Sequence, residues 1–200
     1  MAAAKEGLTY DNIARDIRAG KIAPIYYLMG EEDYYIDRIE ELLHNTCLQP
    51  DERDFNLTIF YGLEVVPEQL LDACRRYPMM AESQVVVVRE AQAMEDTDVL
   101  LSYLQDPNPL TVLVFCHKHG VVDGRRKFAQ AIKKVGVMFE SRRLWDSQLP
   151  TFVSHYLKER KLGIDPQANQ LLCESVGSDL SRLAKELDKL ALALPAGVVT

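Results

Sequence analysis

The chain has 200 residues, of which 48% are hydrophobic and 26% charged, and its formal net charge is −7. That composition suits one ordinary core plus a small second domain, and it excludes a disordered or membrane-spanning class. The acidic balance argues against a domain that coats itself in nucleic acid, since phosphate binding rests on surplus lysine and arginine.

The opening "MAAAKEGLTY" lacks the apolar core of a secretory signal, and no apolar run approaches the roughly 20 residues a bilayer span needs; a cytoplasmic chain is expected. The first predicted strand, Ile25 to Met29, meets Gly30. A helical pattern follows, with Ile36, Ile39 and Leu43 at i, i+3 and i+7. Phosphate-binding loops of the form G-x-x-x-x-G-K-[ST] occupy this kind of junction, because backbone N–H groups surround the phosphates and a lysine reaches their oxygens. Here "GEEDYYIDR" keeps only the first glycine, and Glu31, Glu32 and Asp33 stand at the helix start. Three acids already satisfy the positive end of the helix dipole, so a bound triphosphate would face like charge.

A second run, Phe55 to Tyr61, alternates in polarity and suits an edge strand. Pro67 then opens a helix with Leu70, Leu71 and Cys74 on one side. "RRYPMMAES", residues 75–83, follows: a proline ends the helix, and two consecutive methionines precede the next strand. Adjacent side chains on such a turn cannot both enter one core, so at least one of Met79 and Met80 is expected outside. Alternatively, both fill gaps under the sheet. Methionine is flexible and polarizable, suited to a partner's apolar pocket, and Arg75, Arg76 and Tyr77 are residue types enriched among interface anchors.

The third and fourth runs, Gln84 to Arg89 and Thr111 to Cys116, are continuously apolar, as strands buried on both faces of a parallel sheet should be. Asp123 can cap a helix bearing Phe128, Ile132 and Val135, and Val135 to Glu140 reads as a fifth strand. Strands alternating with helices predict right-handed crossovers and a doubly wound α/β layer structure. Neither central strand ends in the acid pair that magnesium chemistry needs: Arg89 and Glu90 follow one, His117 and Lys118 the other. Glu90 reads as solvated, and His117 with His119 as loop polarity rather than metal ligands. His44 and His155 are isolated, and no nucleophile arrangement is visible. Cys47, Cys74, Cys116 and Cys173 form no C-x-x-C pair and are expected to be reduced thiols.

After Arg143 no further strand is expected. Asp146 or Ser147 can cap a helix with Leu149, Phe152, Val153, Tyr156 and Leu157; Asp165-Pro166 starts a second; Ser178 caps a third with Leu180, Leu183, Leu187 and Leu190. Charge is uneven as well. Residues 31–55 carry nine acids against Arg38 and Arg53, and residues 118–143 carry eight bases against Asp123 and Glu140, a pattern that suits a solvated surface or the steering of an acidic partner.

The order of "PIYYLMGEEDYYIDR", "FNLTIFYG", "YPMMAESQVVVVREA", "TVLVFCHK" and "GSDLSRLAKELDKLAL" resembles the delta subunit of the bacterial DNA polymerase III clamp loader, across nearly all 200 residues. The resemblance implies a RecA-like AAA+ domain with a five-stranded parallel sheet and a degenerate nucleotide site over residues 1–143. A small three-helix lid domain would occupy residues 144–200, and the family's C-terminal collar domain would be absent. It implies a chain that is non-catalytic itself, within the polymerase III holoenzyme, a nucleotidyltransferase complex. Such a chain binds the sliding clamp (beta) and opens its ring for loading onto primed DNA during replication while neighbouring loader subunits hydrolyse ATP. DNA would be met only within the assembled complex, and no membrane. The family's hydrophobic plug falls on Met79 and Met80, with Arg76, Tyr77 and Pro78 beside them. Members often carry a leucine-phenylalanine type pair there, so two methionines are a departure. No catalytic, cofactor-binding or metal-ligating residue is assigned.

Two other readings stay open at this point. One is a nucleotide-dependent AAA+-like enzyme with an atypical phosphate loop. The other is a nucleic-acid-binding module using Arg125, Arg126, Lys127, Lys133 and Lys134, which would bind with a steep salt dependence.

Overall fold

A computed structural model of the chain describes residues 8–194 and 197–199. They form two compact units that divide between Arg142 and Arg143.

The first unit is built on five parallel strands: β1 (Ile25–Gly30), β2 (Leu57–Tyr61), β3 (Gln84–Arg89), β4 (Thr111–Lys118) and β5 (Val137–Ser141). Their spatial order is β2-β3-β4-β1-β5, so β3, β4 and β1 are interior. Because side chains alternate along a strand, each interior strand feeds two apolar layers. Tyr26, Leu28, Val85, Val87, Val112 and Val114 pack on one face with Ile13 and Ile17 of α1 (Tyr10–Arg18) and with Ile36, Ile39 and Leu43 of α2 (Asp33–Cys47). Tyr27, Val86, Val88, Leu113 and Phe115 pack on the other face. They meet Leu70, Leu71 and Cys74 of α4 (Pro67–Arg75), Tyr103 and Leu104 of α5 (Leu101–Gln105), and Phe128 and Ile132 of α6 (Lys127–Val135). This is the α/β layer structure that the apolar runs imply.

One polar tie crosses the α2 layer. Glu40 lies buried beneath α2, where Arg89 at the end of β3 approaches it to 2.7 Å and the Cys116 thiol donates to it at 3.4 Å. The Glu40 hydrogen bond holds the Arg89 guanidinium protonated well beyond its ordinary range.

Several boundaries differ from the sequence expectations. A four-residue helix, α3 (Arg53–Asn56), takes up Phe55, and the second strand starts at Leu57. Val135 ends α6 instead of opening β5. Asp123 organises the preceding turn, accepting from the Arg125 amide at 2.9 Å, while Arg126 stands at the helix cap. Helix α1 lies where no element was expected, its buried Ile13 and Ile17 four residues apart on one face.

In the second unit, α7 (Leu149–Glu159), α8 (Pro166–Val176) and α9 (Leu180–Ala193) bury Leu149, Val153, Leu157, Leu180, Leu183 and Leu187. Asp165 caps α8 through the amides of Gln167 and Ala168, at 2.8 and 2.9 Å. Asp179, not Ser178, caps α9 by accepting from the Arg182 amide at 2.9 Å. A short 3-10 turn, Asp146–Gln148, precedes α7. The absence of strands expected here is corrected by β6 (Leu162–Ile164) and β7 (Gly197–Val199), which pair in parallel. Three residues apiece is too short for an alternating pattern to register.

Candidate functional site

Two places in the first unit concentrate the residues singled out above. The first is the turn from β1 into α2. Gly30 has φ +130°, and a Cβ there would stand 2.0 Å from the Ser141 carbonyl oxygen, so only glycine lets the end of β5 approach so closely. That carbonyl accepts from the amides of Glu31 and Glu32 at 2.9 and 3.4 Å, and the Ser141 hydroxyl donates back to the Glu32 carbonyl at 2.7 Å. The amides that a phosphate loop would aim at an anion are thus turned onto the protein's own backbone. Glu32 is buried and caps α2, accepting from the Tyr34 amide. Around the mouth, Lys118 pairs with Asp37 at 2.6 Å and His119 approaches Asp33 at 3.6 Å. His117 turns inward, its Nδ1 2.8 Å from the Tyr27 hydroxyl, so the two histidines take separate partners. Glu90 is exposed. Among the described residues, no group of three or more His, Cys, Asp and Glu side chains converges as a metal ion would require.

The second place is the turn from α4 into β3, which carries Arg76, Tyr77, Pro78, Met79 and Met80. The last carbonyls of a helix lack intrahelical donors, and here three side chains supply them. Gln84 Nε2 donates to the carbonyls of Ala73 and Arg76 at 3.0 and 2.8 Å; Thr111 Oγ1 donates to that of Cys74 at 2.8 Å; Asn108 Nδ2 reaches Cys74 and Arg76 at 3.2 and 3.3 Å. Downstream, the carboxamide of buried Asn56 brackets Met79, and Ser83 Oγ donates to the Cys47 carbonyl at 3.3 Å. The turn's backbone is therefore tied down at entry, middle and exit.

Its large apolar side chains are not. Tyr77 is 84% exposed, Met79 57% and Met80 97%. Pro78 is half-buried, and exposed Arg76 reaches Thr58 Oγ1 at 3.3 Å. Both methionines stand in solvent, more than the minimum of one that adjacency required. Met80 adopts φ 55°, a left-handed conformation uncommon for a residue with a Cβ, which turns the chain sharply at the tip. Ile59 and Tyr61 on the edge strand β2, and Phe55 of α3 just before it, are also open to water. A water-facing apolar tip on a fixed backbone offers contact area with only side-chain rotamers left to order on binding.

Sequence reading brought out the exposed side chains but missed the four that hold them: Asn56, Gln84, Asn108 and Thr111. A polar residue opening an otherwise apolar strand, as Gln84 and Thr111 do, was the available signal.

A family model described as "DNA polymerase III, delta subunit" matches residues 26–142. The DNA polymerase III subunit delta of Bacillus subtilis (strain 168) is 26% identical over 189 residues, covering 90% of this chain and 54% of that protein. The chain therefore spans about half the length of this curated relative. A solved structure of the Bacillus subtilis DNA clamp loader delta protein matches with a TM-score of 0.82 and 25% identity, over 96% of this chain and 60% of that one. A Thermotoga maritima RuvB structure matches with a TM-score of 0.55 and 11% identity, over 94% and 61% of the two chains, a likeness of fold alone.

Proposed function

This chain belongs to the DNA polymerase III delta-subunit family, and on that premise we propose that it grips the sliding clamp with Met79 and Met80 and biases the ring toward an open form, without hydrolysing ATP itself. The observation that carries the reading is the contrast at the α4–β3 turn: a backbone secured by Asn56, Gln84 and Asn108, and two methionines left in water. Adjacent exposed apolar groups mark an interaction surface, and burying one fully contributes about 1.5–3 kcal/mol to a complex.

Tyr77 and Arg76 flank the tip as secondary contacts, with Pro78 setting its entry. Opening the ring is then a population shift. The chain favours a sprung clamp only by the difference in its affinity for the two forms. The clamp and the other loader subunits are the partners, DNA is met only inside the assembled loader, residues 144–200 act as the lid, and the complex works in the cytoplasm. No helix among the described residues is long and apolar enough to cross a membrane.

The competing reading, an enzyme with an atypical phosphate loop, has to displace the Ser141 carbonyl from the Glu31 and Glu32 amides before an anion can use them. Two experiments separate the readings. The chain should pull down purified sliding clamp and lose it on combined Met79→Ala and Met80→Ala substitution, with circular dichroism unchanged. A titration with fluorescent ATP and magnesium should give no saturable signal; micromolar binding would transfer the function to the nucleotide reading.

A further inference from the structure

We propose that the groove between α5 and α6 docks an acidic peptide segment of a partner protein, which lays aliphatic side chains between the two helices and sets its carboxylates against Lys127 and Lys134. The groove has a volume of about 430 Å³. Leu101, Leu104, Ala131 and Val135 line its floor and are buried or half-buried; Gln105, Gln130, Lys127 and Lys134 line it too and are exposed. The spacing explains the arrangement. Lys127, Ala131 and Lys134 recur at four and three residues along α6, and on α5 Leu104 and Gln105 lie three and four residues after Leu101, so each helix turns one face to the groove.

Charge selects the occupant. The chain is acidic overall, yet no Asp or Glu lines this groove. Among the described residues the lysines that pair are Lys118, with Asp37, and Lys189, with Glu186, and neither Lys127 nor Lys134 has an ion-pair partner. An aliphatic floor under an uncompensated cationic rim complements a ligand that is apolar in its middle and anionic at its flanks. The stems of the two lysines can cover such a ligand while their ammonium groups stay solvated. A single-stranded nucleic acid is a poorer match, since bases stack on aromatic rings and every lining side chain here is aliphatic, amide or ammonium. The groove shares no lining residue with the Met79–Met80 turn, so the inference stands apart from the proposed clamp contact.

The test is fluorescence anisotropy of the 200-residue chain with a labelled synthetic peptide carrying leucines flanked by glutamates. Saturable binding that weakens with salt is expected, because the rim contacts are solvent-exposed charges. Ala131→Trp, which fills the groove, and Lys127→Glu combined with Lys134→Glu should each weaken binding by about tenfold or more, whereas Met79→Ala with Met80→Ala should leave it unchanged. The lysine pair is exposed, so that variant keeps the test decisive even if the tryptophan variant fails to fold. The proposal is overturned by an absence of saturable binding or by affinity indifferent to the lysine reversals. Displacement of the peptide by a single-stranded oligonucleotide also overturns it, as does a self-associated dimer that the lysine reversals dissolve.

Discussion

Asn56 and Met79 are joined by a reciprocal pair of hydrogen bonds: the Met79 amide donates to Asn56 Oδ1 at 2.7 Å, and Asn56 Nδ2 donates to the Met79 carbonyl at 2.9 Å. Asn56 is only 2% exposed, so a side chain in the protein's interior sets the position of a main-chain segment at its surface. Asn56→Ala removes both bonds at once. Unfolding in urea should show a loss of about 1–3 kcal/mol, and hydrogen exchange at the Met79 amide should accelerate. Clamp affinity should fall as well, although the methionines themselves are untouched, because the turn must then be ordered on binding.

Gly30 makes a second sharp test. With φ +130° and the Ser141 carbonyl lying where a Cβ would go, Gly30→Ala has to strain the backbone and push β5 away from β1. A loss of about 2 kcal/mol or more is expected by thermal or urea unfolding. Gly20→Ala is the control: Gly20 also has positive φ, at 74°, but open space around it, so only the conformational part of the cost should appear.

The Glu40–Arg89 pair is asymmetric, with side-chain exposures of 5% and 41%. Arg89→Met strands a carboxylate under α2, while water reaching the arginine side softens the penalty. The cost should be about 2 kcal/mol, below that of breaking a fully buried pair. Removing both charges with Glu40→Gln and Arg89→Met should recover part of it, and a double-mutant cycle measures the coupling.

The pH dependence of stability follows from burial. It pushes the Cys47 thiol up to about 11 and the Cys74 thiol to about 12, from an ordinary 9.0. The folded chain keeps protons that the unfolded chain releases, so this contribution is complete below pH 9.0 and is lost as pH climbs toward those values. His44 and His117 shift the other way, burial lowering both from 6.5. Their contribution is complete above pH 6.5 and is lost as pH falls through their depressed values. Urea midpoints should therefore decline above about pH 9, and His44→Asn with His117→Asn should flatten the decline that begins near pH 6.5 on the acid side.

How legible these features were depends on the range of the physics behind them. The buried strands β3 and β4 announced themselves, because burial on both faces demands an unbroken apolar run such as Val85 to Val88. The missing lysine after Gly30 was equally plain. The partner of the Glu31 and Glu32 amides was not: Ser141 reaches them from more than a hundred residues away, and no local pattern encodes that contact. The turn at Met79 divides the same way. Its side chains were conspicuous as an adjacent apolar pair after a proline, while Asn56, 23 positions upstream, looked like an ordinary polar position within the second strand. The pair β6 and β7 was hidden by brevity, each strand offering three residues whose pairing depends on tertiary placement.

Met79 and Met80 are the proposed contact with the sliding clamp. Isothermal titration of the clamp with the unsubstituted chain and with the Met79→Ala, Met80→Ala double variant tests it most directly. Two apolar side chains leaving a partner's pocket should weaken binding by about 100-fold or more, with the urea midpoint unchanged. An affinity within about twofold of the unsubstituted chain, from a double variant equally well folded, would contradict the account.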